Sequence, residues 1–200
     1  MKKINKPLLW FILSFIAFHI ILMLLWGEHG VYWQLYTGIM LIAGISYVFY
    51  QRDFASKRLL TSIAIGLATG VAIVLIQVIF SWITSELTYA SLIKQLSRTG
   101  VYFKWQILVT LLFVMPCHEL YMRTILQKGI VRMTSKPWLA IIIGALASGS
   151  FFIYLDQWWI VTFIFVCQLL LGFSYMYTRR IITTTVAQIV AVVILLIFHG

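Results

Sequence analysis

The sequence predicts an all-α protein, a polytopic transmembrane helix bundle that forms one domain over residues 1–200. Two observations lead to this fold class. The chain is 62% hydrophobic and only 10% charged, whereas a soluble domain carries about 25% charged residues. Charged residues are also absent from whole blocks, namely 7–27, 30–51 and 59–85. Each block can cross a bilayer core of about 30 Å, which takes roughly 20 helical residues.

The apolar runs predict about seven spans. Their limits are 8–26, 31–50, 59–83, 105–127, 137–155, 158–177 and 181–198. The one long connection, 84–104, alternates apolar and polar residues at near-helical spacing. This pattern predicts an amphipathic helix lying in the membrane interface.

The positions of the basic residues predict the orientation of the bundle. With the N-terminus in the cytoplasm, eleven Lys and Arg residues fall on the inner side, namely Lys2, Lys3, Lys6, Arg52, Lys57, Arg58, Lys128, Arg132, Lys136, Arg179 and Arg180. Three fall on the outer side, namely Lys94, Arg98 and Lys104. Because short cytoplasmic connections are enriched in Lys and Arg, we expect the N-terminus inside and the C-terminus outside.

The same rule accounts for the net charge of +10 without nucleic acid. Since the basic residues are spread over four inner segments, we expect contact with anionic membrane lipids and no nucleic-acid partner. The two cysteines, Cys117 and Cys167, lie 50 residues apart inside apolar runs and do not form a metal-type pair. The sequence therefore predicts no metal site and no cofactor.

The segment "VMPCHELYMRTILQ", 114–127, carries the charges that the fourth span would bury. Charged groups within a bilayer are costly and usually face other helices or mark a site. Glu119 and Arg123 are four residues apart, so they share a helix face and can form an ion pair. Two interpretations remain open. The pair is architectural, or Glu119 or His118 acts as a general base on water.

Two other kinds of site are excluded by the residues themselves. A zinc protease motif, HExxH, would need histidine where Met122 stands. Cys117 and His118 are adjacent on a helix and do not face each other. A further polar group at the right depth is Gln188. At 1.5 Å per residue, Glu119 and Gln188 each lie roughly 12–13 Å from the inner edge of the membrane, whereas Asp156 lies about 30 Å from it. We therefore expect that Gln188 can reach Glu119 and that Asp156 does not.

At these residues the chain resembles the CAAX protease and bacteriocin-processing (CPBP) intramembrane peptidases, over about residues 105–195. Members of that family have three motifs, EExxxR, FxxxH and HxxxN. The resemblance implies a bundle of about eight helices that processes prenylated or peptide substrates. It also implies that the first Glu activates water, that the motif histidines and Asn assist it, and that the second Glu and the Arg are architectural.

The chain departs from these motifs at most of the catalytic positions. Glu119 and Arg123 match the second Glu and the Arg, and His118 replaces the first Glu. The second motif falls in 147–156, where Phe152 aligns with Asp156 or Phe151 with Leu155. The third aligns through Gly172, Tyr175 and Thr178, which places Gln188 and Val192 at its His and Asn. No histidine occurs between His118 and His199.

Three functions follow from these observations. The resemblance with its losses predicts a degenerate peptidase that binds a membrane peptide or protein partner. The first alternative is an active endopeptidase using Glu119, His118 and Arg123, with Gln188 offering an amide to a developing oxyanion. The second alternative is a small transporter, since intramembrane Glu, Arg and His also suit ion handling. The resemblance implies a multi-pass protein of the bacterial cytoplasmic membrane.

Overall fold

A computed structural model describes residues 6–25, 27–48 and 59–199. Eight helices are present in these ranges, namely α1 (Lys6–Leu24), α2 (Tyr32–Val48), α3 (Leu59–Ile83), α4 (Tyr89–Arg98), α5 (Lys104–Thr134), α6 (Pro137–Ser150), α7 (Trp158–Thr178) and α8 (Ile181–His199). Short 3-10 turns at His29–Val31, Ser85–Leu87 and Ile153–Leu155 join some of them. The described part of the chain contains no strand. The predicted all-α fold class is confirmed.

Six of the described helices are long and apolar enough to cross a membrane, namely α1, α3, α5, α6 with its 3-10 extension, α7 and α8. The remaining predicted span, 31–50, corresponds to α2, of which 17 residues are described. Seventeen residues extend about 26 Å at 1.5 Å per residue. The inner end of this span and the whole connection to α3, 49–58, lie outside the described residues. The chain is a multi-pass membrane protein.

The predicted limits are wrong in one place, at the inner end of the fourth span. The sequence predicts an end near Gln127, whereas α5 continues through "KGIVRMT" to Thr134. None of these residues forbids a helix. The helix ends where Ser135 adopts the left-handed conformation, with φ of 57°, and Pro137 then begins α6. Asp156 and Arg179 adopt the same conformation before α7 and at its end.

The connections predicted to share a side of the membrane meet at the same end of the bundle. On one end, the Trp33 amide donates to the Thr99 carbonyl at 2.9 Å, which joins the start of α2 to the end of α4. On the other end, a Cβ at Gly129 would lie 3.2 Å from Leu8 Cδ1, so the last turns of α5 contact the start of α1. These contacts agree with the alternation of spans. Which end is cytoplasmic stays a prediction of the charge distribution.

The amphipathic helix predicted within 84–104 is α4, and it is tied to its neighbours by two glutamine side chains. The Gln77 amide donates to the Leu87 carbonyl at 2.7 Å. Gln106 accepts from the backbone amides of Tyr102 and Phe103 at 2.7 and 2.9 Å and donates to the Gly100 carbonyl at 3.0 Å. Gln106 thereby satisfies amides at the start of α5 that have no partner within the helix.

Two hydrophobic cores lie on different sides of α5. The first, called here the α1 core, joins α1, α2, α5 and α6 through buried residues that include Phe11, Met40, Met122, Ala140 and Phe151. The second, the α3 core, joins α3, α7 and α8 through Ile73, Cys167, Leu171, Ala187 and Ala191. Helix α5 also contacts α7 and α8. It therefore stands between two groups of helices, and this position decides the geometry of the polar residues it carries.

The α3 core depends on a close approach of α3 and α8. A Cβ at Gly66 would lie 2.8 Å from the Thr183 carbonyl oxygen, and one at Gly70 would lie 2.7 Å from the Ala187 carbonyl oxygen. Both distances are shorter than a carbon can tolerate against backbone. Small residues four apart allow membrane helices to pack in this way, where lipid offers no hydrophobic driving force for association.

Candidate active site

The site is built on an irregular stretch of α5. The helix has i→i+5 hydrogen bonding at Thr110–Val114 and again at Leu120–Gln127, with a short α-helical turn, Met115–Glu119, between them. Pro116 lacks a backbone donor, and its ring would collide with the carbonyl four residues earlier. The widened turn before Pro116 relieves that collision. Such π segments are rare and often occur at functional sites.

Glu119 and Arg123 form the ion pair that their spacing predicts. Arg123 Nε lies 3.0 Å from Glu119 Oε2, and neither side chain has any exposed surface. The second carboxylate oxygen is also occupied, because Gln188 Nε2 donates to Glu119 Oε1 at 2.8 Å. Thr184, one turn before Gln188 on α8, also lies beside the carboxylate. The expectation from depth that Gln188 reaches Glu119 is thus confirmed as a contact.

The guanidinium of Arg123 has three further acceptors. Its Nη1 donates to Gln127 Oε1 at 3.2 Å, and its Nη2 donates to the Gln168 carbonyl at 3.2 Å and to the Gln168 side-chain oxygen. Gln127 continues the network by donating to the Gly172 carbonyl at 3.1 Å. Both charged groups are hydrogen-bonded, so the network avoids the large penalty of a buried unpaired charge. Within the described chain, the side-chain oxygen of Gln188 is buried and accepts no hydrogen bond.

Two glycines make room for this guanidinium. A Cβ at Gly144 on α6 would lie 3.6 Å from Arg123 Nη1, and one at Gly172 on α7 would lie 3.3 Å from it. The planar head of Arg123 therefore lies in a slot between α6 and α7. A lysine could not replace it, since an ammonium lacks the planar fork that reaches several acceptors at once.

His118 belongs to a different network on another face of α5. Its Nδ1 lies 2.7 Å from the Tyr36 hydroxyl on α2, and its Nε2 lies 3.3 Å from the Ser148 hydroxyl on α6. The imidazole also packs edge-on against Phe151, with ring centroids 6.4 Å apart. Consecutive helix residues point about 100° apart. Glu119 therefore faces α7 and α8 while His118 faces α2 and α6, and the structure does not join them in one hydrogen-bonded site.

A second histidine, which the sequence analysis did not single out, lies against the segment where the second motif was expected. His19 on α1 stacks on Phe151 with ring centroids 5.0 Å apart and an interplanar angle of 7°. Its Nδ1 lies 2.8 Å from the Tyr154 hydroxyl, and its Nε2 lies 3.1 Å from the Ser150 hydroxyl. The signal was present in the sequence, because Phe15 and His19 have the FxxxH spacing.

The stretch aligned with the third motif also lines the site. Gly172 borders the arginine slot, and Gln188, at the position of the family histidine, reaches Glu119. Val192 is half-buried and offers no polar group to the site. The side chain of His199 lies outside the described part of the chain.

The comparison with known families agrees with this geometry. The model of one family, type II CAAX prenyl endopeptidase Rce1-like, matches residues 100–194. Residues 100–194 are therefore similar to this family. This confirms the resemblance read from residues 105–195. No curated protein matches the chain, and no solved structure matches it.

The matched region, residues 100–194, contributes residues to both polar networks, but one network also uses a residue from outside it. Glu119, Arg123, Gln168 and Gln188 lie within it, so the arginine network is internal to the matched region. Tyr36 lies outside it, on α2. The network around His118 is therefore completed by a helix, α2, that the family match does not include.

Proposed function

We propose that this chain is a degenerate relative of the Rce1-like endopeptidases, one that binds a membrane peptide or protein partner without glutamate-dependent hydrolysis. The observation that carries the proposal is the enclosure of Glu119. Arg123 and Gln188 occupy its two oxygens, and the side chain is fully buried. A carboxylate that activates water needs an oxygen facing water and substrate. Glu119 is instead held as an architectural counter-ion.

The active-endopeptidase alternative needs Glu119 and His118 to act on one water molecule. Their hydrogen-bond partners lie on different helices, Gln188 on α8 for the acid and Tyr36 on α2 for the imidazole. The position of the family's catalytic Glu is taken by His118, and Val192 stands where the Asn would assist. The transporter alternative has no observation of its own, because the charged groups pair with one another in a closed network.

The partner follows from the surroundings of the site. The walls are membrane-spanning helices, and large apolar side chains such as Trp10, Leu60 and Trp82 are exposed on their outer faces. A ligand that enters between these helices arrives through lipid, so a membrane-embedded peptide or a neighbouring membrane protein is the partner class we infer. We place the protein in a bacterial cytoplasmic membrane, with its basic connections against anionic headgroups.

The test combines a cleavage assay and a binding assay on the purified protein in lipid nanodiscs. A library of membrane peptides, including prenylated ones, is followed by mass spectrometry for new products and by photo-crosslinking for bound peptides. Wild type runs beside Glu119→Gln, His118→Ala and Arg132→Met. Arg132 is an exposed residue on the same helix and serves as the matched control.

We expect a defined set of crosslinked peptides in wild type and Arg132→Met, and no product whose formation depends on Glu119. Cleavage that Glu119→Gln abolishes, in a variant that remains folded, would overturn the proposal in favour of the active endopeptidase. A protein that retains no peptide from the library and is always purified alone would remove the binding function.

A further inference from the structure

The basic residues at the α4 end of the bundle are an exception within the charge distribution of the chain. Lys and Arg are normally scarce on the outer side of a membrane protein. The three that the sequence assigns to that side, Lys94, Arg98 and Lys104, all fall within 94–104. The stretch around them, 87–118, contains no Asp or Glu. Positive charge is therefore concentrated at one place, and the rule for orientation does not account for it.

The side chains of these three residues are exposed, and the protein does not neutralise them. Lys94 and Arg98 are four residues apart on α4, so they share one face of that helix. Within the described part of the chain, neither they nor Lys104 forms an ion pair. The connections on the same side also carry acids, namely Glu28, Glu86 and Asp156. The positive charge is thus left to be balanced by something outside the chain.

Helix α4 is firmly anchored, although none of its side chains is fully buried. At its end, the Val101 amide donates to the Leu96 carbonyl at 2.9 Å and the Gly100 amide donates to the Ser97 carbonyl at 3.1 Å. Gly100 has a φ of 94°, which completes a Schellman-type helix ending. A Cβ at Gly100 would collide with the Gly30 carbonyl oxygen, so this position requires glycine. The fold therefore sets where the exposed side chains of α4 lie.

The apolar face of α4 is only partly covered by protein. Leu92 is half-buried, whereas Ile93 and Leu96 remain 38% and 39% exposed. At 3.6 residues per turn, these three lie on one side of the helix, and Lys94 and Arg98 lie on the opposite side. A helix with an open apolar face and a basic face opposite suits the membrane interface, where acyl chains meet the one and headgroups meet the other.

The residues that follow α4 place this surface at the level of the headgroups. Tyr102, Phe103 and Trp105 are all exposed beside Lys104. Trp and Tyr prefer the depth of the lipid headgroups in membrane proteins. Because Lys104 begins α5, its ammonium lies where that span enters the membrane. The basic and aromatic side chains thus lie at the depth of lipid phosphates.

We propose that Lys94, Arg98 and Lys104 form a binding surface for the phosphate groups of anionic phospholipids, in the leaflet at the α4 end of the bundle. The lipid phosphate supplies the negative charge that the protein lacks there, and the acyl chains cover Ile93 and Leu96. An acidic protein segment would balance the charge without covering the apolar face. This lipid surface lies apart from both polar networks and goes beyond the binding of a peptide or protein partner.

The experiment measures lipid preference beside α4 in nanodiscs of phosphatidylcholine and phosphatidylglycerol. Ser97 is exposed and lies between the apolar and basic sides of α4, so Ser97→Cys carries a fluorophore there. A charged thiol reagent is used, because the native Cys117 and Cys167 lie within spans. Spin-labelled phosphatidylglycerol or phosphatidylcholine is included at a series of equal mole fractions. The two quenching curves give the ratio of the affinities of the two lipids at this surface.

The chain offers a matched control for the removal of charge. The test variant combines Lys94→Gln with Arg98→Gln, and the control combines Arg132→Gln with Lys136→Gln. Each removes two exposed positive charges that are four residues apart, but at opposite ends of the bundle. Both are made in the labelled protein, and thermal melting confirms that each remains folded.

We expect phosphatidylglycerol to be preferred at the label by at least about tenfold at low salt. Each Lys or Arg near an anionic membrane surface contributes about fivefold in affinity. The test variant should therefore lower the preference by at least about fivefold, and about 1 M salt should lower it in the same way. The control variant should keep the preference within about twofold.

Equal quenching by the two lipids in the labelled protein would overturn the proposal. An equal loss in the test and control variants would also overturn it, because the preference would then follow net charge alone. Crosslinking of α4 to an acidic peptide without any lipid preference would assign the surface to a protein partner instead.

The outcome is separable from that of the proposed peptide binding. Absence of a lipid preference, with the crosslinked peptides still present, would remove the lipid surface alone. A lipid preference in a protein that retains no peptide would remove the binding function alone.

Discussion

Replacing Glu119 by Gln removes the negative charge of the buried pair while keeping the size of the side chain. Arg123 would remain fully buried with only neutral acceptors, from Gln127 and Gln168. Removing one partner of a buried ion pair costs about 3–5 kcal/mol. An exposed pair would cost about 0–1 kcal/mol. The two magnitudes differ enough for one measurement to decide whether the pair is part of the architecture.

The assay is reversible unfolding of the purified protein in mixed micelles titrated with a denaturing detergent, which yields a free energy of unfolding. Glu119→Gln should lower it by about 3–5 kcal/mol. The double variant with Arg123→Met removes both charges and should recover at least about 1 kcal/mol, since residues in one network couple by about 0.5–3 kcal/mol. Arg132→Met, an exposed substitution on the same helix, should stay within about 0.5 kcal/mol of wild type.

Two results would refute this reasoning. A loss below about 1 kcal/mol in Glu119→Gln would mean that water or lipid headgroups screen the pair, as they do for exposed pairs. A double variant no more stable than Glu119→Gln alone would mean that the charge left on Arg123 is not the source of the cost.

Three further predictions concern packing and orientation. Gly66→Ala should destabilise the protein by about 1–3 kcal/mol, because the added carbon overpacks against α8. Gly38→Ala, where a Cβ meets nothing within 4 Å, should leave the free energy of unfolding unchanged or raise it by up to about 1 kcal/mol. The same unfolding assay compares the two variants, and equal effects would contradict the close α3–α8 contact. Tyr121→Phe removes the hydroxyl that bonds to the Ser14 hydroxyl at 2.7 Å and to the Phe11 carbonyl at 3.2 Å, both on α1. The free energy of unfolding should fall by about 1 kcal/mol in the same assay. An unchanged value would show that α1 is held by apolar packing alone. A cysteine placed at position 94 should react with an impermeant thiol reagent added outside intact cells, whereas one placed at position 132 should react only after permeabilisation. The reverse labelling pattern would show that the orientation of the bundle is the opposite of the predicted one.

The helices could be predicted because their signal is repeated over many residues. A span needs only a long uncharged apolar run, and α3 begins and ends at the predicted residues, 59 and 83. The end of α5 was missed because the inner stretch "KGIVRMT" carries charges, and charge marks the membrane boundary without ending a helix. What ends the helix is the backbone conformation of Ser135 and the proline that begins α6.

The site was predictable where it depended on spacing within a helix or on depth in the membrane. It was unpredictable where it depended on which helices are neighbours. The spacing of Glu119 and Arg123 and the depth of Gln188 were sufficient to predict those contacts. Their arrangement around His118 was not, because the sequence does not say which helix lies on which side of α5. His19 was missed for the same reason. Its partner Phe151 is more than a hundred residues away, and only the folded bundle places α1 against that segment.

His118 and Glu119 are adjacent on α5, yet their hydrogen bonds join this helix to different neighbours. One residue is tied to α2 and α6, and the next is tied to α8, with Arg123 tied to α7. Because one helix carries both side chains, a rotation of α5 about its axis would change the contacts of His118 with α2 and of Glu119 with α8 at the same time. The bonds of these two adjacent residues therefore hold α5 at one rotation between its neighbours.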